Sequence, residues 1–256
     1  MSRPVPYIDP MRPKPKRRPL KAWRHMQKLI ADKEDTTQVF HIIQALNGDS
    51  SRRDFLKFMK SRNALELLQR QTFLPDVLDD HAPLKALPKG TVGRTYVDFM
   101  EREGLTAHGL VNESLEQRKL HEQYDDDLLW YVNRLRDTHD MYHILTGYGR
   151  DALGEASLLG FTHSQHGGMG VSFIAFMGQR QISKAAPQGA HVKEVIAEGR
   201  RNGRKAKRII EQDIEAILDH PLEDVRLDLG IEKPVLYKRA LKVFSDQEQA
   251  PQLAAA

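Results

Sequence analysis

The sequence contains no cysteine among its 256 residues. Disulfides and thiolate chemistry are therefore excluded, and any bound metal must be held by imidazole nitrogen and carboxylate oxygen. Long apolar runs are also missing, since no stretch reaches the roughly 18 uncharged apolar residues of a membrane-spanning helix and no apolar signal segment follows the first Met. We therefore expect a protein that neither spans a membrane nor is secreted, and whose 11 histidines are the candidate metal ligands.

Acidic residues are scarce near the N-terminus. Residues 1–30 contain nine Lys and Arg against one acid, whereas the whole chain has a net charge of only +4. Six of the 13 prolines fall within residues 1–20, a density that prevents a helix. We predict a disordered Pro/Lys/Arg-rich arm over residues 1–19, followed by one helical metal-binding domain over 20–256. Anionic lipid, nucleic acid or solvent alone could surround such an arm.

Sustained alternation of apolar and polar residues is missing too, and from Leu20 onward apolar residues recur at three- and four-residue spacing. The pattern predicts an all-α protein. A segment at 81–93 that contains proline and glycine is the best candidate for a break between two helical layers of the domain. The predicted helices span 20–33, 36–47, 51–70, 91–103, 125–147, 151–165, 170–180 and 189–219.

A compact set of metal-ligating side chains lies at the end of the predicted helix 125–147. His139 and His143 are one helical turn apart and continue the apolar stripe that faces the core, so we expect both to be inside the protein. Asp140 lies on the adjoining flank of the same turn. A histidine pair satisfied within the core is the alternative to a metal site.

Glu155 follows His143 by 12 residues. On an unbroken helix it would lie about 18 Å further along the axis, too far to share an ion. Gly147, Gly149 and Gly154 permit the chain to turn back, so we predict a helix–turn–helix that returns Glu155 to the histidines. A cation there would also relieve the cost of burying carboxylates.

The segment HDMYH, followed by eleven residues and Glu155, resembles the HDxxH…E signature of the coenzyme Q biosynthesis family number four. The segments LPKGTVGRTYVDFM at 87–100, NGRKAKRII at 202–210 and LDLGI at 227–231 are also similar to that family. By contrast, FTHSQHGGMG at 161–170 is richer in His and Gly than the family pattern. His163 and His166 within it are candidates for extra ligands, a proton relay or ordinary polar helix positions.

The resemblance implies an enzyme of ubiquinone biosynthesis. Its reaction would be metal-dependent decarboxylation of 4-hydroxy-3-methoxy-5-polyprenylbenzoate at ring carbon one, with a hydroxyl replacing the carboxylate if the reaction is oxidative. The implied metal ligands and catalytic residues are His139, Asp140, His143 and Glu155, and the implied ion is Zn²⁺. Two histidines with carboxylates also suit Fe²⁺, which unlike zinc could activate oxygen.

The resemblance further implies a homodimer on a membrane surface that works with other ubiquinone biosynthesis proteins. The expected location is cytoplasmic and peripheral to the inner membrane, or the matrix side of the mitochondrial inner membrane in a eukaryote. Nucleic acid is not an expected partner. Apolar segments at 158–161 and 171–177 would line a channel for the prenyl tail or form ordinary core. A basic cluster within 200–208 would face anionic lipid or solvent.

Three other functions are compatible with the same residues. A non-enzymatic scaffold would bind a prenylated quinone precursor around a structural ion, and four protein ligands leave zinc no vacant tetrahedral position. A metal-dependent hydrolase is suggested by the likeness of HDMYH to HExxH, but Asp140 is one methylene shorter than the glutamate that acts as base there. A His-Asp phosphohydrolase would need a further histidine and a distant aspartate, which the sequence does not identify.

Overall fold

The computed structural model describes residues 6–32, 35, 37–118 and 124–253. These residues form helices joined by turns, with no β-strand among them, which confirms the predicted all-α fold of a single domain. A 3₁₀ turn covers Ile209–Glu211. The helices are α1 (Pro19–Ala31), α2 (Thr37–Asn47), α3 (Ser50–Phe58), α4 (Ala64–Arg70), α5 (Leu74–Asp79), α6 (His81–Ala86), α7 (Val92–Glu103), α8 (Ala107–Arg118), α9 (Asp127–Asp137), α10 (His139–Thr146), α11 (Ala152–His166), α12 (Met169–Ala185), α13 (Val192–Lys205), α14 (Ile214–Ile217), α15 (Leu222–Leu229) and α16 (Val235–Leu253).

The prediction of one continuous helix over 125–147 is wrong, because the structure has two helices there, α9 and α10, which meet at Thr138. The Thr138 hydroxyl donates to the backbone carbonyl of Arg134 at 2.8 Å, a bond of the kind that bends helices. Val132, which falls on the predicted apolar stripe at helical spacing from Leu135 and His139, is 38% exposed, so the stripe is not buried throughout.

Other predicted boundaries were wrong where short helices replace long ones. The predicted helix 51–70 is divided into α3 and α4, and the predicted helix 189–219 ends at Lys205, beyond which Ala206 is extended. The segment at 81–93 is no break between layers, because Leu84 and Val92 are both buried in the main core. Pro83 of this segment lies within the short helix α6.

The main core surrounds α11, which packs along α13 at close range. A Cβ at Gly199 of α13 would lie 2.3 Å from the carbonyl oxygen of Ser157, so only glycine allows this approach of the two backbones. Leu158 and Phe161 of α11 are fully buried in this core. The packing fixes α11 relative to the helices α7 and α10, which contribute to the same core.

The N-terminal segment contacts the start of α9. Residues 12–18 have no regular structure, but Arg12 forms an ion pair of 2.6 Å with Asp126, and the backbone N–H of Tyr7 donates to Asp127 at 2.6 Å. Residues of the predicted arm therefore contact the acids at the start of α9. Among the described residues, no helix is both long and apolar enough to cross a bilayer.

Candidate metal centre

Three of the predicted ligands meet on α10. His139, Asp140 and His143 each offer one ligand atom, and these atoms all lie within 4.8 Å of one another. The rings of His139 and His143 meet edge to face, with centroids 5.0 Å apart. His143 is buried as expected, and Asp140 is buried as well. The expected burial of His139 is wrong, because its side chain is 34% exposed at the helix surface.

The predicted reversal brings Glu155 to the same place. Helix α10 ends at Thr146, Gly147 adopts a left-handed conformation with φ of 76°, and α11 begins at Ala152. Oε1 of Glu155 lies 3.3 Å from Nε2 of His143, and Oε2 lies 4.0 Å from Nε2 of His139. Glu155 therefore reaches both histidines, although it is not among the three α10 donors that lie within 4.8 Å of one another.

The first turn of α11 depends on a cap and on a glycine. The Asp151 carboxylate accepts hydrogen bonds from the backbone N–H groups of Leu153 at 3.1 Å and Gly154 at 3.0 Å, which satisfies two otherwise free donors of the helix. A Cβ at Gly154 would lie 2.1 Å from the carbonyl oxygen of Gly149. The turn that delivers Glu155 is therefore too tight for a side chain at that position.

His143 is oriented by a backbone carbonyl. Its Nδ1–H donates to the oxygen of Tyr148 at 2.9 Å, and the ring of Phe99 stacks on it with centroids 5.7 Å apart. The opposite nitrogen, Nε2, is buried and makes no hydrogen bond within the described part of the chain. A backbone bond to one nitrogen that leaves the other aimed at a shared site is typical of metal-ligating histidine.

The pKa values of the two histidines in the centre are shifted in opposite directions. Burial and the neighbouring His143 lower the pKa of His139, which favours the neutral imidazole. Burial also acts against charge on His143, but the Glu155 carboxylate outweighs it and raises the pKa of His143. Burial opposes ionisation of Glu155 as well, yet the two histidines lower its pKa. A cation would take the place of the proton on His143, since metal binding releases protons from its ligands.

These residues fit a divalent transition metal. Two imidazoles and two carboxylates are ligands for Zn²⁺ and Fe²⁺. The buried Nε2 of His143 lies 3.3 Å from the Glu155 carboxylate, a second possible ligand, and makes no well-directed hydrogen bond in the described part of the chain. The donor set and this atom together make the cluster a candidate metal centre.

Tyr96 of α7 is a further buried polar side chain, on the helix that also carries Phe99, which sequence reasoning did not identify. Its side chain is fully buried, and its hydroxyl makes no hydrogen bond among the described residues. Burial and the nearby Asp140 carboxylate raise the pKa of Tyr96, so the hydroxyl keeps its proton. The sequence signal that could have identified Tyr96 was its helical spacing of three residues from Phe99, within the family-like segment 87–100.

The two histidines that depart from the family pattern lie outside the candidate centre. The Nδ1–H of His163 donates to the carbonyl of Gly168 at 3.1 Å, which ties the end of α11 to the next turn. His166 donates through Nδ1–H to Asp54 at 2.9 Å, and its Nε2 accepts from the Tyr142 hydroxyl at 2.7 Å. His166 is thus part of a separate buried polar network.

Arg208 completes that network rather than a basic surface. Its Nη2 donates to Asp54 at 2.5 Å, beside the Tyr131 hydroxyl, which donates to the same carboxylate at 2.6 Å. Lys205 and Lys207 form ion pairs with Glu232 and Asp228 respectively. Arg208 is therefore paired in the interior and the two lysines are paired at the surface, while Arg201 and Arg204 of the basic cluster are exposed.

The family model described as "Coenzyme Q (ubiquinone) biosynthesis protein Coq4" matches residues 28–235, a range that includes all four predicted ligands. The chain belongs to the Coq4 family. This family acts in ubiquinone biosynthesis, which agrees with the resemblance carried by the HDMYH segment and Glu155.

Individual Coq4 relatives are moderately similar. "Ubiquinone biosynthesis protein COQ4, mitochondrial" of Ajellomyces capsulatus (strain NAm1 / WU24) is 31% identical over 176 residues, which are 67% of this chain and 59% of that protein. "Ubiquinone biosynthesis protein COQ4 homolog, mitochondrial" of Bos taurus is 27% identical over 203 residues, 77% of this chain and 73% of that protein. The chain therefore spans less than two thirds of the fungal relative's length.

The Coq4 fold is also seen in a solved structure. The crystal structure of a putative ubiquinone biosynthesis protein from Nostoc punctiforme PCC 73102 matches with a TM-score of 0.63. The match covers 85% of this chain and 100% of that chain at 21% sequence identity, which shows a common fold.

Proposed function

We propose that this Coq4-family protein is a metal-dependent carboxy-lyase that removes the carboxyl group at ring carbon one of 4-hydroxy-3-methoxy-5-polyprenylbenzoate. The supporting observation is the unequal exposure of the four predicted ligands. Asp140 and His143 are buried, whereas the side chains of His139 and Glu155 are each 34% exposed. An ion would be anchored from the interior and remain accessible from solvent, as catalytic metal sites require.

A cation held by His139, Asp140, His143 and Glu155 would act as a Lewis acid toward a carboxylate or phenolate oxygen of the substrate. In simple decarboxylation, the bond between ring carbon one and the carboxyl carbon breaks, its electron pair stays on the ring, and a proton takes the vacated position. In the oxidative form, a hydroxyl replaces the carboxyl group to give a hydroquinone, whose further oxidation gives the quinone, so that the carboxylated phenol and one dioxygen together yield quinone, carbon dioxide and water. The oxidative form favours iron, because zinc has no redox chemistry.

The side chains of the centre have distinct parts in this proposal. His143, fixed by the Tyr148 carbonyl, supplies a nitrogen whose direction is set before substrate arrives. Glu155 is delivered by the reversal and partly exposed, so it is the ligand that a substrate carboxylate would displace. Tyr96 holds a protonated hydroxyl near Asp140, where it is a neutral hydrogen-bond donor.

A second candidate function is a non-enzymatic scaffold that holds a prenylated quinone precursor around a structural ion. The observation that favours it is the short separation of Glu155 from both histidines, 3.3 Å and 4.0 Å. Four protein donors that close completely around zinc would leave no position for substrate. The two functions differ in whether carbon dioxide is released.

The deciding experiment uses the full chain loaded with Zn²⁺ or Fe²⁺ and a carboxylated methoxyphenol with a short prenyl tail. Carbon dioxide release with the loaded wild type, and its loss after chelation, is the result expected for the enzyme. Parallel aerobic and anaerobic incubations separate the oxidative from the simple reaction. Tight substrate binding without any carbon dioxide under either atmosphere would favour the scaffold.

We also propose that the protein attaches to anionic membranes through one face of α1 and α12. Trp23 is 47% exposed and its ring lies 6.5 Å from that of Phe173, while Met169 and Phe176 on the same face of α12 are 50% and 53% exposed. Leu20, one turn before Trp23, is 77% exposed. Exposed aromatic and aliphatic side chains on adjacent helices are typical of surfaces that enter the lipid headgroup region.

The charge of this α1/α12 face fits anionic lipid. Neither helix contains an acidic residue, and their exposed cations include Arg24, Lys28, Arg180 and Lys184. Each basic residue near an anionic surface contributes about 1 kcal/mol to binding. We further propose a homodimer that works with other ubiquinone biosynthesis proteins, as the resemblance to the family implies, and sedimentation of the purified chain tests the dimer.

A further inference from the structure

The reversal between α10 and α11 is held by a side chain from α16. The Tyr237 hydroxyl accepts a hydrogen bond from the backbone N–H of Gly149 at 2.9 Å and donates one to the Asp151 carboxylate. Tyr237 is 3% exposed, and burial together with the bond to Asp151 raises its pKa, so the hydroxyl keeps the proton that it donates. One hydroxyl thus joins two residues of the reversal.

The bond to Gly149 acts on the peptide group that orients His143. The N–H of Gly149 and the carbonyl of Tyr148 belong to the same planar peptide unit, in which they point in opposite directions. Tyr237 binds the N–H side of this unit, and Nδ1–H of His143 donates to the carbonyl side at 2.9 Å. Rotation of the peptide would break both bonds together.

The bond to Asp151 acts on the other half of the site. Asp151 caps α11 through its Oδ1 atom, whereas Tyr237 donates to Oδ2. Both carboxylate oxygens are therefore used, and the cap is fixed in the orientation that starts the helix bearing Glu155. The same tyrosine thus supports ligands on both sides of the reversal.

Tyr237 is itself firmly placed. The buried Glu198 carboxylate of α13 accepts hydrogen bonds from the backbone N–H groups of Leu236 at 2.9 Å and Tyr237 at 3.2 Å. The Tyr237 ring packs edge to face on that of Tyr148, with centroids 5.4 Å apart. Tyr237 lies two residues beyond the 28–235 segment that the family model matches.

We propose that Tyr237 is a positioning residue of the metal centre, which fixes the peptide that orients His143 and the cap that delivers Glu155. This role rests on the metal centre proposed above. Tyr237 contacts neither the ion nor the substrate in this role, and it acts through the backbone of the reversal. Loss of its hydroxyl should therefore affect metal affinity and ligand geometry more than the stability of the fold.

The test compares Tyr237→Phe with Tyr148→Phe. The first substitution removes the hydroxyl and keeps the buried ring, while the control removes a hydroxyl from the same ring pair and leaves the 148–149 peptide intact. Zinc affinity, measured by competition with a chromophoric chelator, should fall about tenfold in Tyr237→Phe, as for loss of an outer-shell partner. The absorption spectrum of the Co²⁺-loaded protein should change in that variant and not in the control.

A second readout needs no metal. In the metal-free protein, exchange of the Hδ1 proton of His143 with water, followed by NMR, should accelerate in Tyr237→Phe and not in Tyr148→Phe. The proposed role would be overturned if Tyr237→Phe kept the zinc affinity, the cobalt spectrum and the Hδ1 exchange rate of the wild type. If the wild type binds neither zinc nor cobalt, the proposed metal centre fails, and Hδ1 exchange still decides whether Tyr237 positions His143.

Discussion

Oε1 of Glu155 lies 3.3 Å from Nε2 of His143, although the entire reversal between α10 and α11 separates these residues along the chain. The centre therefore has two structural parts. Helix α10 supplies three donors by itself, whereas α11 supplies the fourth only if the reversal keeps its shape. Substitutions in the two parts should have different consequences.

Replacing His143 or His139 by alanine should remove most of the bound metal. Each supplies a neutral nitrogen that water replaces poorly, so the loss of affinity should exceed the roughly 10–100-fold cost of losing an outer-shell partner. Metal content after dialysis, measured by mass spectrometry, checks this. His163→Ala is the matched control, because that ring bonds to Gly168 outside the centre. Full occupancy in either ligand variant would contradict the site.

Gly154→Ala should damage the reversal. The new Cβ would lie 2.1 Å from the Gly149 carbonyl oxygen, so overpacking should cost about 1–3 kcal/mol of unfolding free energy and weaken metal binding. Gly178→Ala is the control, because its Cβ would meet only Ala156 at 3.8 Å within α12 and should stabilise the helix by about 0.5–1 kcal/mol. Urea unfolding measures the unfolding free energy of both variants. Equal changes in the two would refute the close approach at Gly154.

Several long helices, though not α8 or α16, and the four candidate ligands could be predicted because their signals are local. The predicted helices 20–33, 91–103 and 151–165 agree with α1, α7 and α11 to within two residues at each end. The ligand set was recognisable because its spacing and the glycine-rich reversal all lie within 139–155. Short helices such as α5, which begins Leu-Pro, have too few turns for periodicity to appear.

The rest of the site depends on contacts between distant parts of the sequence. His166 and Asp54 are 112 residues apart, and Gly149 and Tyr237 are 88 apart, so no local pattern joins them. Thr138 shows a second limit on prediction from the sequence, which concerns where a helix ends. The apolar periodicity of the sequence continues across Thr138, yet α9 ends there and α10 begins at the next residue.

The buried network around His166 should make the protein less stable in acid. Burial, against the opposing effect of Asp54, lowers the pKa of His166, so the unfolded chain binds a proton more readily. Stability is therefore lost as pH falls below about 6.5, the usual pKa of histidine. Hydrogen bonds from His166, Arg208 and Tyr131 outweigh burial and lower the pKa of Asp54, so a further loss follows as its carboxylate protonates at lower pH.

His166→Asn tests this pH dependence. Asparagine can still donate to Asp54 but leaves the Tyr142 hydroxyl without its acceptor, so unfolding free energy at pH 7 should fall by about 1–3 kcal/mol. The further loss between pH 7 and pH 5 should be smaller than in wild type, because the titrating ring is gone. Urea unfolding of the metal-free proteins at both pH values measures the difference. If wild type and His166→Asn lost the same unfolding free energy between pH 7 and pH 5, this would show that His166 does not titrate in this range.

Membrane attachment should depend on the α1/α12 face. Arg24→Gln and Arg180→Gln should each weaken binding to anionic vesicles about fivefold, corresponding to about 1 kcal/mol per basic residue. Trp23→Ala should weaken it further by removing an exposed aromatic ring. Vesicle co-sedimentation with anionic and neutral lipid measures the effect, and Leu227→Ala, at an 82% exposed position on α15, is the control. Equal binding by all four variants would exclude this face.

Glu155→Gln should separate metal binding from catalysis. The amide oxygen still reaches the site, so much of the metal should be retained on His139, Asp140 and His143, but the local charge changes by one unit. If the substrate carboxylate enters by displacing Glu155, carbon dioxide release should fall at least tenfold while metal content falls far less. Both are measured on the same preparation, and His163→Ala again controls for an unrelated substitution. Full turnover with glutamine at this position would show that Glu155 has no part in the reaction, whereas parallel loss of metal and turnover would assign it to ion binding alone.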